Sequence, residues 1–141
     1  MKRDSFYTLL SHTADLGVII KGDSCEELFQ NAALALTDIM ILNRSPAPGI
    51  NKDVFLKGYD LADLMVKWLS EILYFFEGEH LITTEITINH LDHNSINASL
   101  LASELDEKHH EILREIKAVT YHKIEVIEDN GCWKARVIFD L

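Results

Sequence analysis

Asp140 and Leu141 end the chain with an aspartate side chain beside a terminal carboxylate. Two anionic oxygen groups at one place suit a hard divalent cation such as Ca²⁺ or Mg²⁺, which gathers carboxylate, carbonyl and water oxygens. A third carboxylate, brought from elsewhere in the fold, would make a usable site. Near the other end, SHTADLGVII (11–20) separates two apolar runs with five small or polar residues. His12 and Asp15 lie in that break with no obvious neighbouring partner. The break reads as a turn between two strands.

Other reactive residue types are present, but not in patterns that do chemistry. Seven histidines raise the question of zinc, and HLDH (His90, His93) and KHHE (His109, His110) are the densest clusters. Neither has the H-E-x-x-H form, and the two cysteines, Cys25 and Cys132, stand far apart. In a strand, His90 and His93 point to opposite faces, so these histidines read as solvated surface groups. His122 shares an alternating face with Ile124 and reads as satisfied and partly buried, while Lys117 reads as a surface cation. No G-x-S-x-G, Walker loop or G-x-G-x-x-G occurs, so hydrolase, nucleotide and dinucleotide readings gain no support. The cysteines form neither a C-x-x-C pair nor a disulfide framework, which suits a reducing cytoplasm, and each reads as a small buried or half-buried thiol.

The elements that must position these residues follow from periodicity. GVIIKG (17–22) reads as a strand, and Ser24 with Glu27 three residues on forms a capping-box pattern. Leu28, Phe29, Ala32, Ala33, Leu36, Ile39 and Met40 follow at helical spacing. The helix should stop near Asn43, because NRSPAPGINKD holds both prolines of the chain. VIIKGDSCEEL (18–28) and VFLKGYDLADL (54–64) then share Val, Lys, Gly and Leu at an offset of 36 residues. Asp60 and Asp63 repeat the cap and its acidic partner, and Leu61 to Phe76 form a second apolar helix. Two strand–helix units, suggestive of duplication, therefore lead the chain. After Gly78 the period becomes two: TTEITINHL, SINASLLAS and EIKAVTYHKIEVIE alternate, with the polar connection ELDEKHHEIL between the last two. The sum is one α+β domain over residues 1–141, two helices packed on mixed or antiparallel sheet.

A register can be read at the C-terminus. Asn130-Gly131 is the preferred type I′ turn of a two-residue hairpin. It sets Ile124 opposite Val137, Val126 opposite Ala135, and Glu125 opposite Arg136 as an ion pair. Trp133, Ala135, Val137 and Phe139 then join Ile124 and Val126 on the core face. Asp140 points to the other face, opposite Tyr121, with Lys123 a neighbour and Lys117 further along.

Composition restricts the partners. Twenty-three acidic residues against thirteen basic ones give a formal net charge of −10. Nucleic-acid affinity comes largely from Lys and Arg at phosphates, so strong direct binding of RNA or DNA is not expected. A basic protein surface or a divalent cation is the better match. No apolar run approaches the ~20 residues of a membrane helix, and the N-terminus lacks the apolar core of a signal peptide, so a cytoplasmic protein without membrane contact is expected.

Taken together, HTADLG, EELFQNAALALTDIM, DLMVKWLSEILYFFE, EIKAVTYHKIEV and GCWKARVIFDL resemble the archease family over nearly the whole chain, in the family's order and spacing. The resemblance implies a small acidic protein that is not itself an enzyme. Its partner would be the GTP- and metal-dependent RNA-splicing ligase that joins tRNA exon halves. The family speeds guanylylation of the ligase's active-site histidine, permits multiple turnover and broadens nucleotide use. It also implies a divalent metal near the C-terminal end, Ca²⁺ with Mg²⁺ or Mn²⁺ as alternatives. By motif position the metal ligands would be Asp15, Asp140 and Leu141. Lys117, Asp15 and Asp140 would serve ligase activation, with His12, Tyr121 and His122 in supporting places. One departure is visible: ASELDEKHHEI lacks a glycine associated with the family. Two other classes compete. A stand-alone metal-dependent enzyme acting on a small substrate would need a nucleophile or base beside a concave pocket. A general chaperone without metal would be indifferent to Ca²⁺ and to chelators.

Overall fold

A computed structural model describes residues 6–11, 15–42, 49–106 and 108–141. The strands are β1 (Tyr7–Ser11), β2 (Asp15–Gly22), β3 (Ile41–Leu42), β4 (Ile50–Lys57), β5 (Leu81–Asp92), β6 (Ser95–Glu104), β7 (Glu111–Ile112), β8 (Ala118–Asp129) and β9 (Cys132–Asp140). Two helices, α1 (Cys25–Met40) and α2 (Leu61–Glu79), follow β2 and β4. The described strands make a four-stranded sheet β1-β2-β9-β8, a three-stranded sheet β4-β6-β5 and a short β3-β7 pair. All pairings are antiparallel. This is the expected α+β fold.

The repeat at an offset of 36 residues is structural. In each unit the cap oxygen accepts from the residue three ahead, Ser24 Oγ from Glu27 N–H at 3.1 Å and Asp60 Oδ1 from Asp63 N–H at 2.8 Å. Each acidic side chain reaches back, Glu27 to Asp23 N–H and Asp63 to Tyr59 N–H. Even the brace between helix and strand recurs: Asn31 donates to the Lys21 carbonyl and Lys67 to the Lys57 carbonyl. In both halves the strand before the helix pairs with the second strand of a later hairpin, β2 with β9 and β4 with β6. The β4–α2–β5–β6 unit is thus inserted between α1 and β8 of the other.

The helices form the shared layer of one core. α1 packs on β2 and β9 and also on β5, while α2 packs on β8 and also on β4 and β5. Contact on two sides explains why each helix buries a broad face rather than a narrow stripe. Trp68 is fully buried and satisfies its indole N–H on the Phe29 carbonyl at 2.8 Å, which ties α2 to α1.

The C-terminal hairpin turns at Asn130 and Gly131, both at positive φ as a type I′ turn requires. The expected register holds from Glu125 to Asp129, including Glu125 opposite Arg136 with a 3.7 Å ion pair. It then breaks. Between Thr120 and Glu125 the pairing slips by three residues, so Ala118 rather than Tyr121 faces Asp140. Residues 121–124 bulge out of the ladder with Lys123 at φ 54°. Thr120 Oγ1 bonds the Ile138 carbonyl on one side and Arg136 Nε donates to the Lys123 carbonyl on the other. An odd slip exchanges the faces. Val119 is therefore buried against the core, and His122, expected partly buried, is exposed. Val126, Ile124 and Trp133 are half-buried around the fully buried Ala135 and Val137.

Three smaller expectations are also corrected. His110 is not a surface group: it is 8% exposed because its Nδ1 takes the Asp106 N–H inside the 105–110 turn. His93 lies in the β5–β6 turn rather than in a strand, and Cys132 is exposed rather than half-buried. The turn expected at 12–14, most of the loop from Asn43, and His12 itself lie outside the described residues.

Candidate functional site

β2 and β9 bring two carboxylates together. β2 is anchored by Leu16, Val18 and Ile20 in the core, and β9 by Ala135, Val137 and Phe139. Strand alternation then sends Asp15 and Asp140 to the other face at the end of the sheet. The register pairs Asp15 directly with Asp140, and Asp140 in turn with Ala118 of β8. In the second unit the positions that correspond to this pair are Asn51 and Leu101, themselves paired. The acidic pair thus belongs to one half of the pseudo-repeat alone.

The pair is electrostatically unfinished. Like charges directly opposite on neighbouring strands repel. Asp15 is half-buried, and its Oδ1, without solvent exposure, has no hydrogen-bond partner among the described residues. A buried carboxylate oxygen left unpaired is costly and asks for a donor or a cation. Asp140 is exposed, and its carbonyl accepts the Lys117 N–H at 2.8 Å, which brings the backbone of Lys117 to the same corner. Leu141 follows, 39% exposed. The donors are hard oxygens, the set that suits Ca²⁺, Mg²⁺ or Mn²⁺. Among the described residues no group of three or more His, Cys, Asp or Glu side chains forms a closed cage. Any cation here would rest on two side chains, main-chain oxygens and water.

Tyr121 and His122 are not in this corner. Tyr121, at the start of the bulge, donates its hydroxyl to Asp63 Oδ1 at 2.7 Å, at the N-terminus of α2. That bond holds the Asp63 carboxyl below the ordinary carboxylate range, with the Tyr59 N–H and Lys67 assisting. The same bond pushes the Tyr121 phenol up. His122 is exposed on the bulge, where its N–H meets Thr120 Oγ1 at 3.3 Å. The Asp63–Tyr121 link escaped the sequence reading, although Val119 and Val126, both apolar and seven residues apart, cannot share one face of an unbroken strand.

Several of the other reactive groups are engaged or inert. His90 pairs with Asp92 and His109 with Asp106, in exposed local contacts. Burial, with Glu26 and Glu128 adding, pushes the Cys25 thiol up to about 11, so it stays protonated and unreactive near neutrality.

The profile of the Archease protein family matches residues 7–141. The chain belongs to the archease family. Protein archease of Methanosarcina barkeri is 37% identical over 139 residues, covering 96% of this chain and 95% of that protein. Protein archease of Pyrococcus furiosus is 35% identical over 135 residues, covering 92% and 94%. The solution structure of Methanobacterium thermoautotrophicum protein 1598 superposes with a TM-score of 0.76 at 30% identity, covering 96% of this chain and 99% of that one. A Thermotoga maritima archease, described as a possible chaperone, has a TM-score of 0.63 at 21% identity over 94% of both chains, and shares the fold. No helix among the described residues is long and apolar enough to cross a membrane.

Proposed function

We propose that this chain is a non-enzymatic activator of the RNA-splicing ligase, promoting ligase guanylylation and multiple turnover in tRNA splicing or RNA repair. The reading starts from archease family membership. The observation that carries it is the pairing of Asp15 with Asp140 at the sheet end, with Asp15 Oδ1 buried and unsatisfied. Asp15, Asp140 and the main-chain oxygens of Leu141 would hold a divalent cation, Ca²⁺ first, with Mg²⁺ or Mn²⁺ as alternatives. Such a cation would offset the paired charges and offer a positive centre to phosphate oxygens. The chain's own contribution is to project this corner. The Asp140 carbonyl is held by the Lys117 N–H, and the exposed Lys117, whose backbone lies at this corner, would supply a cation for anionic oxygens.

The protein's own groups favour a helper over a stand-alone enzyme. The half-buried thiol of Cys25 is inert, and the histidine–aspartate pairs are exposed local contacts. An acidic surface with a net charge of −10 suits a basic protein partner better than RNA itself. The work would take place in the cytoplasm, without a membrane. The test is ligase guanylylation at a fixed saturating level of the ligase's own metal, with and without this protein, and with Ca²⁺ titrated on top for the parent and for Asp15→Ala. Stimulation that rises with Ca²⁺ for the parent and not for the variant supports the reading. Metal-indifferent stimulation would point to a general chaperone, and none at all would end the proposal.

A further inference from the structure

A groove of about 560 Å³ runs between the last turn of α2 and the segment from β6 to β7, walled by Phe76, Glu77, His80, Glu104, Leu105 and Ile112. Its floor is apolar. Phe76 is buried beneath it, Leu105 is half-buried, and Ile112 is 50% exposed. Exposed aliphatic groups gathered in a concavity, rather than scattered singly, mark an interaction surface.

The rim carries charge of one sign. Glu77 and Glu104 stand on the walls, and Glu111 adjoins Ile112. None of the three makes an ion pair among the described residues, whereas the nearby Glu79 is neutralised by Lys52 at 2.8 Å. His80 is the other titratable group on the walls.

The walls are braced from within the chain. His80 caps α2 in the left-handed conformation, its N–H on the Phe75 and Phe76 carbonyls and its own carbonyl taking Leu105 N–H at 2.8 Å. Asp106 N–H is held by His110 Nδ1 at 2.8 Å, and Leu113 N–H by the Met40 carbonyl at 2.7 Å. A braced groove binds without first having to be ordered.

We propose that this groove docks a segment of a partner protein presenting an apolar side chain flanked by Lys or Arg. The apolar floor needs an apolar anchor, and Glu77 and Glu104 on the walls, without an ion pair among the described residues, select cations. A nucleic acid would bring phosphates against this rim. A second copy of this chain would bring a surface of net charge −10. The groove also neighbours the acidic pair: Ile112 and Lys117 are five residues apart, at most ~18 Å of chain, and Lys117 N–H lies on Asp140. The inference rests on the activator reading for the partner's identity, the groove then anchoring the ligase while Asp15 and Asp140 approach its reacting centre.

The groove is testable without the ligase. The full chain, labelled with ¹⁵N, is titrated with a short Leu/Lys peptide that has one apolar and one basic face, and with a Ser/Lys peptide of equal charge as control. The Leu/Lys peptide should shift the amides of Phe76, His80, Leu105 and Ile112. Its affinity should fall about tenfold or more in Ile112→Asp and in the double variant Glu77→Lys, Glu104→Lys, and stay unchanged in Asp15→Ala. These groove positions other than Phe76 and Leu105 are exposed, and the same spectra report whether each variant is folded. Shifts spread over the acidic surface, shifts centred on Asp15 and Asp140, or Ile112→Asp binding as tightly as the parent would overturn the proposal. If the peptide maps to the groove but the ligase is not stimulated, the activator reading falls and the groove stands. If the ligase is stimulated and the peptide misses the groove, the converse holds.

Discussion

Replacing Gly22 by alanine tests the strand–helix unit on which the acidic corner is built. A Cβ at Gly22 would stand 2.6 Å from Leu28 N and 2.8 Å from Leu28 Cα, with the Glu27 carbonyl carbon at 3.1 Å. All three are backbone atoms of the first turn of α1. That turn is pinned by the Ser24 cap, by Leu28 N–H on the Ser24 carbonyl at 2.9 Å, and by Asn31 on the Lys21 carbonyl. Relief therefore means moving the helix start away from β2, and Leu28 and Phe29, fully buried, move with it. Overpacking of this kind costs about 1–3 kcal/mol. The reduced chain entropy of unfolded alanine offsets about 0.4–1 kcal/mol. The net expected loss is about 1–2 kcal/mol, toward the upper part of that span because no side chain can turn aside. Gly58, at the equivalent position, is looser, with both leucine backbone distances longer by a few tenths of an ångström: Leu64 N at 2.9 Å, Asp63 Oδ2 at 3.0 Å and Leu64 Cα at 3.1 Å. Gly58→Ala should cost less. Urea titrations of both variants read the difference as a lower midpoint at unchanged slope. Gly22→Ala within about 0.5 kcal/mol of the parent, or less damaging than Gly58→Ala, would refute the close-approach argument.

Three further outcomes are expected. Asp15→Asn removes half of a like-charged cross-strand pair, so without metal it should stabilise the fold by roughly 0.2–1 kcal/mol. Added Ca²⁺ should raise the melting temperature of the parent well above that of the variant, and equal Ca²⁺ shifts in both would count against a cation at this corner. Tyr121→Phe should change the pH profile of stability at both ends. Asp63 is depressed by its bond to Tyr121, so that contribution is present above the unfolded carboxylate value and lost as pH falls through the folded one. Tyr121 is raised, so its contribution is present below the unfolded phenol value and lost as pH rises through the folded one. The gap between parent and variant should thus be widest at neutral pH and close in strong acid and strong alkali; a constant gap in the denaturant midpoints would contradict this. Thr83→Val removes a buried hydroxyl that has no partner and should be neutral or stabilising by up to ~1 kcal/mol in the same assay, a clear loss being the contrary result.

Much of this architecture was legible because local signals agreed with tertiary need. The two capping boxes at Ser24 and Asp60, with glycines just before them, marked both helix starts. The braces at Asn31 and Lys67, also 36 residues apart, came to light only in the structure, since an asparagine and a lysine share no sequence signature. Asn130-Gly131 set the hairpin register as far as Glu125. Beyond it the register failed, because a bulge built on Tyr121, His122 and Lys123 carries no glycine, and Lys123 takes its positive φ within a strand. The error moved Tyr121 and His122 away from Asp140. Asp15 was different: periodicity showed only a lone carboxylate after a turn, and its partner lies across the whole length of the chain. Only strand pairing, or resemblance to a family, could join the two. The burial of His110 was illegible for a similar reason, since its partner is the N–H of Asp106 within a turn of otherwise polar residues.

The most direct test of the functional account is multiple-turnover RNA ligation by the ligase with saturating parent protein, Asp15→Ala or Asp140→Ala. Each variant is first shown to be folded by its thermal melt. The account predicts that the parent sustains repeated turnover while both variants leave the ligase near its unassisted rate. Folded variants that support turnover as well as the parent would contradict it.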